Sequence, residues 1–156
     1  MVEHLNDGCQ TVTKLHKKFI KRTIKGTFVK ETTVVLCNLT NAVRKACNLK
    51  TNKVYITSRC LKHEYDKRQA SEYDFLLEHI TDIVKYPEQV YLNDPSKRGD
   101  FIFVKTMGDE EYLVSLEVIT SEEEENIFVA TMFRTEKSYY KKFTLKWSWR
   151  DGTPSS

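Results

Sequence analysis

His63 and Glu117 are the side chains of this sequence that could move a proton, and Arg68, Lys105 and Arg134 are the cations that could hold a phosphate while they do so. His63 lies in SRCLKHEYDKR, where Arg59, Lys62, His63 and Arg68 can stand beside one another, because helix neighbours are three or four positions apart. Tyr139 and Tyr140 could stack on a base or donate a proton. A cation-rich site with a few proton-transfer groups and no metal suits RNA cleavage through the 2′-hydroxyl. That reaction needs a base for the hydroxyl proton, an acid for the leaving 5′-oxygen and fixed charge around the phosphorus. The plainer alternative is that His63 is an exposed helix histidine and the others are solvated positions of a half-exposed sheet.

Other chemistries find less support. Cys60 and His63 make a C-x-x-H pair, but Cys9, Cys37 and Cys47 are widely spaced and no second tight pair exists, so no metal is expected. A thiol nucleophile built on Cys47 or Cys60 has no local signature. There is no glycine-rich phosphate loop among the five glycines and no nucleophile elbow, and no cofactor is expected.

The elements that must position these residues are legible as patterns. Three runs rich in β-branched and aromatic residues, FIFVK, YLVSLEVIT and IFVATMFR, read as an antiparallel meander. Alternation puts Tyr112, Val114, Leu116 and Val118 on a core face, while a mixed face is expected to carry Lys105, Ser115, Glu117 and either Thr131 or Arg134. The run Glu122 to Glu125 reads as a solvated hairpin loop. Before the meander, SEYDFLLEHITDIVKY carries the apolar stripe Tyr73, Leu76, Leu77, Ile80 and Val84 and ends at Pro87, and NDPSKRGD reads as a turn. Leu77, Ile80 and Val84 are expected to pack against Val114, Leu116 and Val118. After the meander, SYYKKFTLKWSW reads as a short helix and a final strand.

The first 52 residues read as a helix, a strand and a second helix. KLHKKFIKRTIK is a basic amphipathic helix offering Lys17, Lys18, Lys21 and Arg22 to RNA or an acidic partner, and TFVKETTVVLC is a strand. Residues 1–70 hold 15 Lys+Arg against 5 Asp+Glu, net +10, and the remainder is net −7. Such a division suggests a basic surface for a polyanion, or two halves that pack and neutralise each other. The 156 residues, 40% hydrophobic, suit one ordinary domain. A polar start, free thiols and no apolar run near the roughly 20 residues of a membrane span lead us to expect a cytoplasmic chain without membrane partners.

The order VYITSRCLKHEYDKR, then a helix ending DIVKYPEQVYLND, then FIFVK, YLVSLEVIT and FVATMF resembles the phage-associated nuclease-like domains grouped with barnase, EndoU, colicin and RelE-type RNases. The phrase I-x-x-I-x-x-x-P-x-x-V is carried by Ile80, Ile83, Pro87 and Val90, and the likeness spans about residues 53–149. It implies an α+β fold, with N-terminal helices on one face of a four-stranded antiparallel sheet. It also implies a metal-independent endoribonuclease, a toxin or phage effector, with RNA as partner and a cognate immunity or antitoxin protein beside it. Residue by residue, it implies His63 as the helix histidine, Lys105 as the strand-end lysine and Thr131 as the strand hydroxyl, with Lys67 and Arg68 near the place of an absent second histidine. The expected catalytic set is therefore His63, Lys105, Thr131, Glu117 and Arg68, and the expected RNA contacts are Lys17, Lys18, Lys21, Arg22, Arg59, Arg134, Tyr139 and Tyr140. The division is expected as a basic extension over 1–52 and a nuclease-like domain over 53–156. The alternative of another class is a noncatalytic protein- or RNA-binding α+β module, such as an antitoxin, an immunity protein or a viral regulator. Convergence of His63, a cation and a hydroxyl or carboxylate in one cleft separates the two.

Overall fold

A computed structural model describes residues 7–149; residues 1–6, the side chains of residues 7–10 (Cys9 among them) and of residue 137, and the polar tail from residue 150 lie outside the described part. The elements run α1 (Asp7–Phe19), β1 (Thr33–Asn38), α2 (Asn41–Ala46), β2 (Lys53–Thr57), α3 (Ser58–Lys67), α4 (Ala70–Lys85), β3 (Gln89–Leu92), β4 (Phe101–Met107), β5 (Glu110–Ser121), β6 (Glu124–Thr135), α5 (Lys137–Tyr140) and β7 (Thr144–Ser148). The expected meander is β4, β5 and β6, paired antiparallel. Two-residue turns join its strands, since Met107 faces Glu110 and Ser121 faces Glu124. Glu122 and Glu123 supply the second turn, whereas Glu124 and Glu125, also expected in the loop, already pair in β6 with Ser121 and Thr120.

The expectation of a four-stranded antiparallel sheet with N-terminal helices on one face is corrected. The chain is α+β, but its sheet has seven strands in the order β1-β2-β6-β5-β4-β3-β7, and it is mixed because β2 runs parallel to β6. Most helices lie between strands in sequence. The reason is that a three-stranded meander leaves rows of unpaired N–H and C=O groups on both edges. The short strands KVYIT and TVVLC extend one edge and QVYL and TLKWS the other. A parallel neighbour needs a long crossover, and α3 and α4 provide it between β2 and the meander.

Helix α4 lies across the meander. Its Tyr73, Leu76, Leu77, Ile80 and Val84 share one buried core with Phe103, Val114, Leu116 and Met132, and Val118 packs at the edge of it. This is the stripe-on-sheet packing that the periodicity predicts. The other face of the sheet is covered only in part, by a smaller cluster in which Tyr91, Ile102, Val104 and Leu113 meet Tyr140, Phe143 and Leu145. The uncovered remainder of that face is available to a ligand.

Helix α1 ends earlier than its stripe suggests. Arg22 has a φ of 67°, a left-handed conformation that a continuing helix does not contain, so Ile24 falls in a loop instead of the helix. That loop is tied to α3. Lys62 Nζ donates to Thr23 Oγ1, Ile24 O and Asp66 Oδ1, each at 2.8 Å, and the Gly26 amide donates to Asp66 Oδ2 at 3.0 Å. The amide of Thr32 and the carbonyl of Lys30 bond to the Ser58 hydroxyl. The expected strand from Thr27 therefore begins only at Thr33. Among the described residues no helix is long and apolar enough to cross a membrane.

Candidate active site

Strand β2 stops pairing with β6 after Tyr55 and Phe128, and α3 takes its place along the rest of β6. Cys60 Sγ lies 3.9 Å from Ala130 O, and Arg68 Nε donates to Met132 O at 3.0 Å. Thr57 caps α3 by accepting from the Cys60 amide at 3.0 Å, which fixes where the helix starts and which side chains overhang the sheet.

A bulge in β6 decides what they overhang. Ser115 pairs with Thr131 but Leu116 pairs with Val129, so Ala130 has no opposite residue. The extra residue reverses the alternation: Val129 and Met132 both face the helix core, while Thr131 and Phe133 face the other side, beside Ser115 and Leu113. Thr131, and not Arg134, is thus the β6 polar residue of this face.

Behind it Glu64 is fully buried and holds two groups in place. Its Oε2 accepts from Thr131 Oγ1 at 2.9 Å and its Oε1 from Arg68 Nε at 2.8 Å. Arg68 Nη2 reaches Thr131 Oγ1 at 3.4 Å, and its guanidinium lies over the Phe133 ring at 5.3 Å. A buried carboxylate is tolerated because it is paired and hydrogen-bonded. In return it helps to fix the Arg68 guanidinium, with Met132 O and Thr131 Oγ1.

The third wall is the loop 93–100. Asn93 Nδ2 donates to the carbonyls of Arg98 and Gly99 at 2.9 and 3.1 Å, and Asp100 accepts from the Val118 amide at 2.7 Å. Gly99 has a φ of 92°, and a Cβ there would stand 2.8 Å from Ser115 Oγ, so only glycine lets the loop lie this close to the sheet. The loop carries Lys97 and Arg98 to the mouth of a cleft.

This cleft has two adjoining lobes that share His63 and Arg98. One, about 360 Å³, is lined by Lys67, Arg68, Lys97, Ser115, Thr131 and Tyr139 in addition. The other, about 450 Å³, adds Arg59, Glu117, Ile119 and Phe128, with Glu31 paired to Arg59 at 3.1 Å. His63 is exposed, and neither it nor Arg98 hydrogen-bonds to a described residue through its side chain. Ser115 Oγ is buried and has no hydrogen-bond partner among the described residues. The cleft therefore holds an imidazole, the carboxylates of Glu31 and Glu117 and several cations, a set able to bind a phosphodiester and move protons beside it.

The structure brings His63, Arg68, Thr131, Glu117, Arg59 and Tyr139 together. It does not bring Lys105, which stands opposite Tyr112 and so faces the helix side, 6.0 Å from the Tyr86 ring. Arg134 lies beyond the cleft beside Glu110, and its amide donates to Glu72. Tyr140 is buried against Tyr91 and bonded to Glu111. Lys17, Lys18, Lys21 and Arg22 are exposed around α1, which packs on α4 and β1, and they line neither lobe. Burial pushes the thiols of Cys47 and Cys60 up to about 12, so neither is a thiolate near neutrality. Ser115 stands on the mixed face as expected, whereas Arg98 and Lys97 were not expected at the site. The clue to both was the sequence NDPSKRGD itself, in which turn-forming residues bracket two cations.

A sequence model of the family described as phage-Barnase-EndoU-ColicinE5/D-RelE like nuclease3 matches residues 34–142. No curated protein and no solved structure matches the chain.

Proposed function

The chain belongs to this family of barnase-, EndoU-, colicin E5/D- and RelE-like nucleases, and on that premise we propose that it is an endoribonuclease that works without a metal ion, at the cleft shared by His63 and Arg98. The observation that carries the proposal is the convergence of α3, the β6 bulge and the loop 93–100 on one cleft. In this reading the scissile phosphate lies between Arg68 and Arg98, whose guanidinium groups meet its charge as it grows in the transition state. His63 and Glu117 divide the proton transfers, one taking the 2′-hydroxyl proton and the other protonating the leaving 5′-oxygen.

The Thr131 proton is already given to Glu64, so this hydroxyl positions Arg68 and accepts from it. The flat side chain of Phe128 in the second lobe suits a base adjoining the cleaved bond. If the chain acts as a toxin, its cognate immunity or antitoxin protein would present carboxylates to these cations.

Purified protein incubated with total RNA in EDTA tests the reading. Cleavage should be seen with the wild type and should fall about 10²-fold or more in His63→Ala or Arg98→Ala, while circular dichroism stays unchanged because both side chains are exposed. A wild type that binds RNA and never cuts it would instead make the chain a binding module.

A further inference from the structure

A second concavity, of about 480 Å³, lies on the helix side of the sheet near β7, well apart in lining from the cleft. Its walls are Tyr86 and Pro87 after α4, Ala42 of α2, and Trp147 and Trp149. Tyr86 is 55% exposed and Trp149 59%, so two large aromatic faces stand in water. Two cations flank them: Lys85 Nζ is 5.6 Å from the Tyr86 ring centroid and Lys105 Nζ 6.0 Å. Neither lysine is ion-paired among the described residues. The nearby carboxylate of Glu88 is engaged by the Thr106 amide at 3.0 Å. The buried indole N–H of Trp147 has no acceptor among the described residues.

Exposed aromatic faces beside unpaired lysines match what a single strand offers, since every base has a π-face and every link a negative charge. A proline-rich peptide would use the aromatic faces and leave the lysines unanswered. We propose that this groove is a noncatalytic subsite for single-stranded nucleic acid, on which a base stacks against Trp149 or Tyr86 while the adjoining phosphate meets Lys85. It extends the nuclease reading by giving the polymer a second foothold away from the cleaved bond.

The chain has two tryptophans and both line this groove, so its intrinsic fluorescence reports on the groove directly. A short single-stranded DNA serves as probe, because it lacks the 2′-hydroxyl and is not consumed. Titrating it into the wild type should quench the fluorescence, with an affinity that weakens as salt rises. Lys85→Glu and Tyr86→Ala should each weaken the quenching about tenfold or more, whereas His63→Ala should keep it. Cleavage of a dinucleotide, too short to reach both places, should be unchanged by Lys85→Glu. The proposal is overturned if the DNA does not quench at low salt, if Lys85→Glu and Tyr86→Ala quench like the wild type, or if a proline-rich peptide quenches where the DNA does not. Quenching without any RNA cleavage would sink the nuclease reading and leave the groove standing.

Discussion

Arg68 and Arg98 reach the same cleft by opposite means. Arg98 is exposed on a loop and unpaired among the described residues, whereas Arg68 is anchored to a carboxylate that has no access to water. Removing Arg68 would strand Glu64 as a buried charge, and this outweighs any loss of substrate contact. Arg68→Ala is expected to lose about 3–5 kcal/mol of stability, read from denaturant unfolding, while Arg98→Ala stays within about 0.5 kcal/mol of the wild type. Equal stability of the two variants would contradict the buried pairing. A second residue-scale effect lies at the edge of the hydrophobic core, at the half-buried His16. His16 Nδ1 bonds the Tyr73 hydroxyl at 2.8 Å, and burial lowers its pKa below the ordinary 6.5, with Asp74 opposing and Lys21 assisting. The folded imidazole therefore resists a proton that the unfolded chain accepts. The contribution of His16 to stability should be full above about pH 6.5 and be lost as the pH drops from there through the lowered folded value. Urea midpoints at pH 7.5 and 5.5 check this: the difference should shrink in His16→Gln, and an unchanged difference would remove His16 from the account.

At the scale of elements, the site depends on three local devices, namely the Thr57 cap of α3, the β6 bulge and Gly99. Gly99→Ala combines a positive φ with a Cβ 2.8 Å from Ser115 Oγ. It should cost about 1–3 kcal/mol and lower RNA cleavage, because the loop would have to lift Arg98 away from the sheet. Full cleavage in this variant would show that the loop does not complete the site. These devices also explain what the sequence made legible. The stripe on α4 and the apolar runs of the meander are periodic over many residues, so the helix and its packing partners could be read directly. The position of Lys105 could have been read as well: the Gly108–Asp109 turn puts Met107 opposite Glu110, and counting back puts Lys105 opposite Tyr112 on the core side. The phase of Thr131 could not, because alternation alone does not announce the extra residue at Ala130. Nor could the pairing of β2 with β6, which joins strands about seventy residues apart through two residue pairs.

At the scale of the whole molecule, the charge division resolves into places. The cations of the cleft come from α3 and its C-cap Arg68 in the basic half and from the loop 93–100 in the acidic half. A net charge for each half located neither. The fold joins them by setting α3 against β6 and the loop against β5, so that a site with no contiguous motif appears only when these elements are paired. The claim that this site cuts RNA through the 2′-hydroxyl is tested most directly by one paired substrate. An oligoribonucleotide that the wild type cleaves in EDTA is compared with the same strand carrying a single 2′-deoxy nucleotide on the 5′ side of the cut. The account predicts a 2′,3′-cyclic phosphate end on the first and no cleavage at that link in the second; equal cleavage of both strands would contradict it.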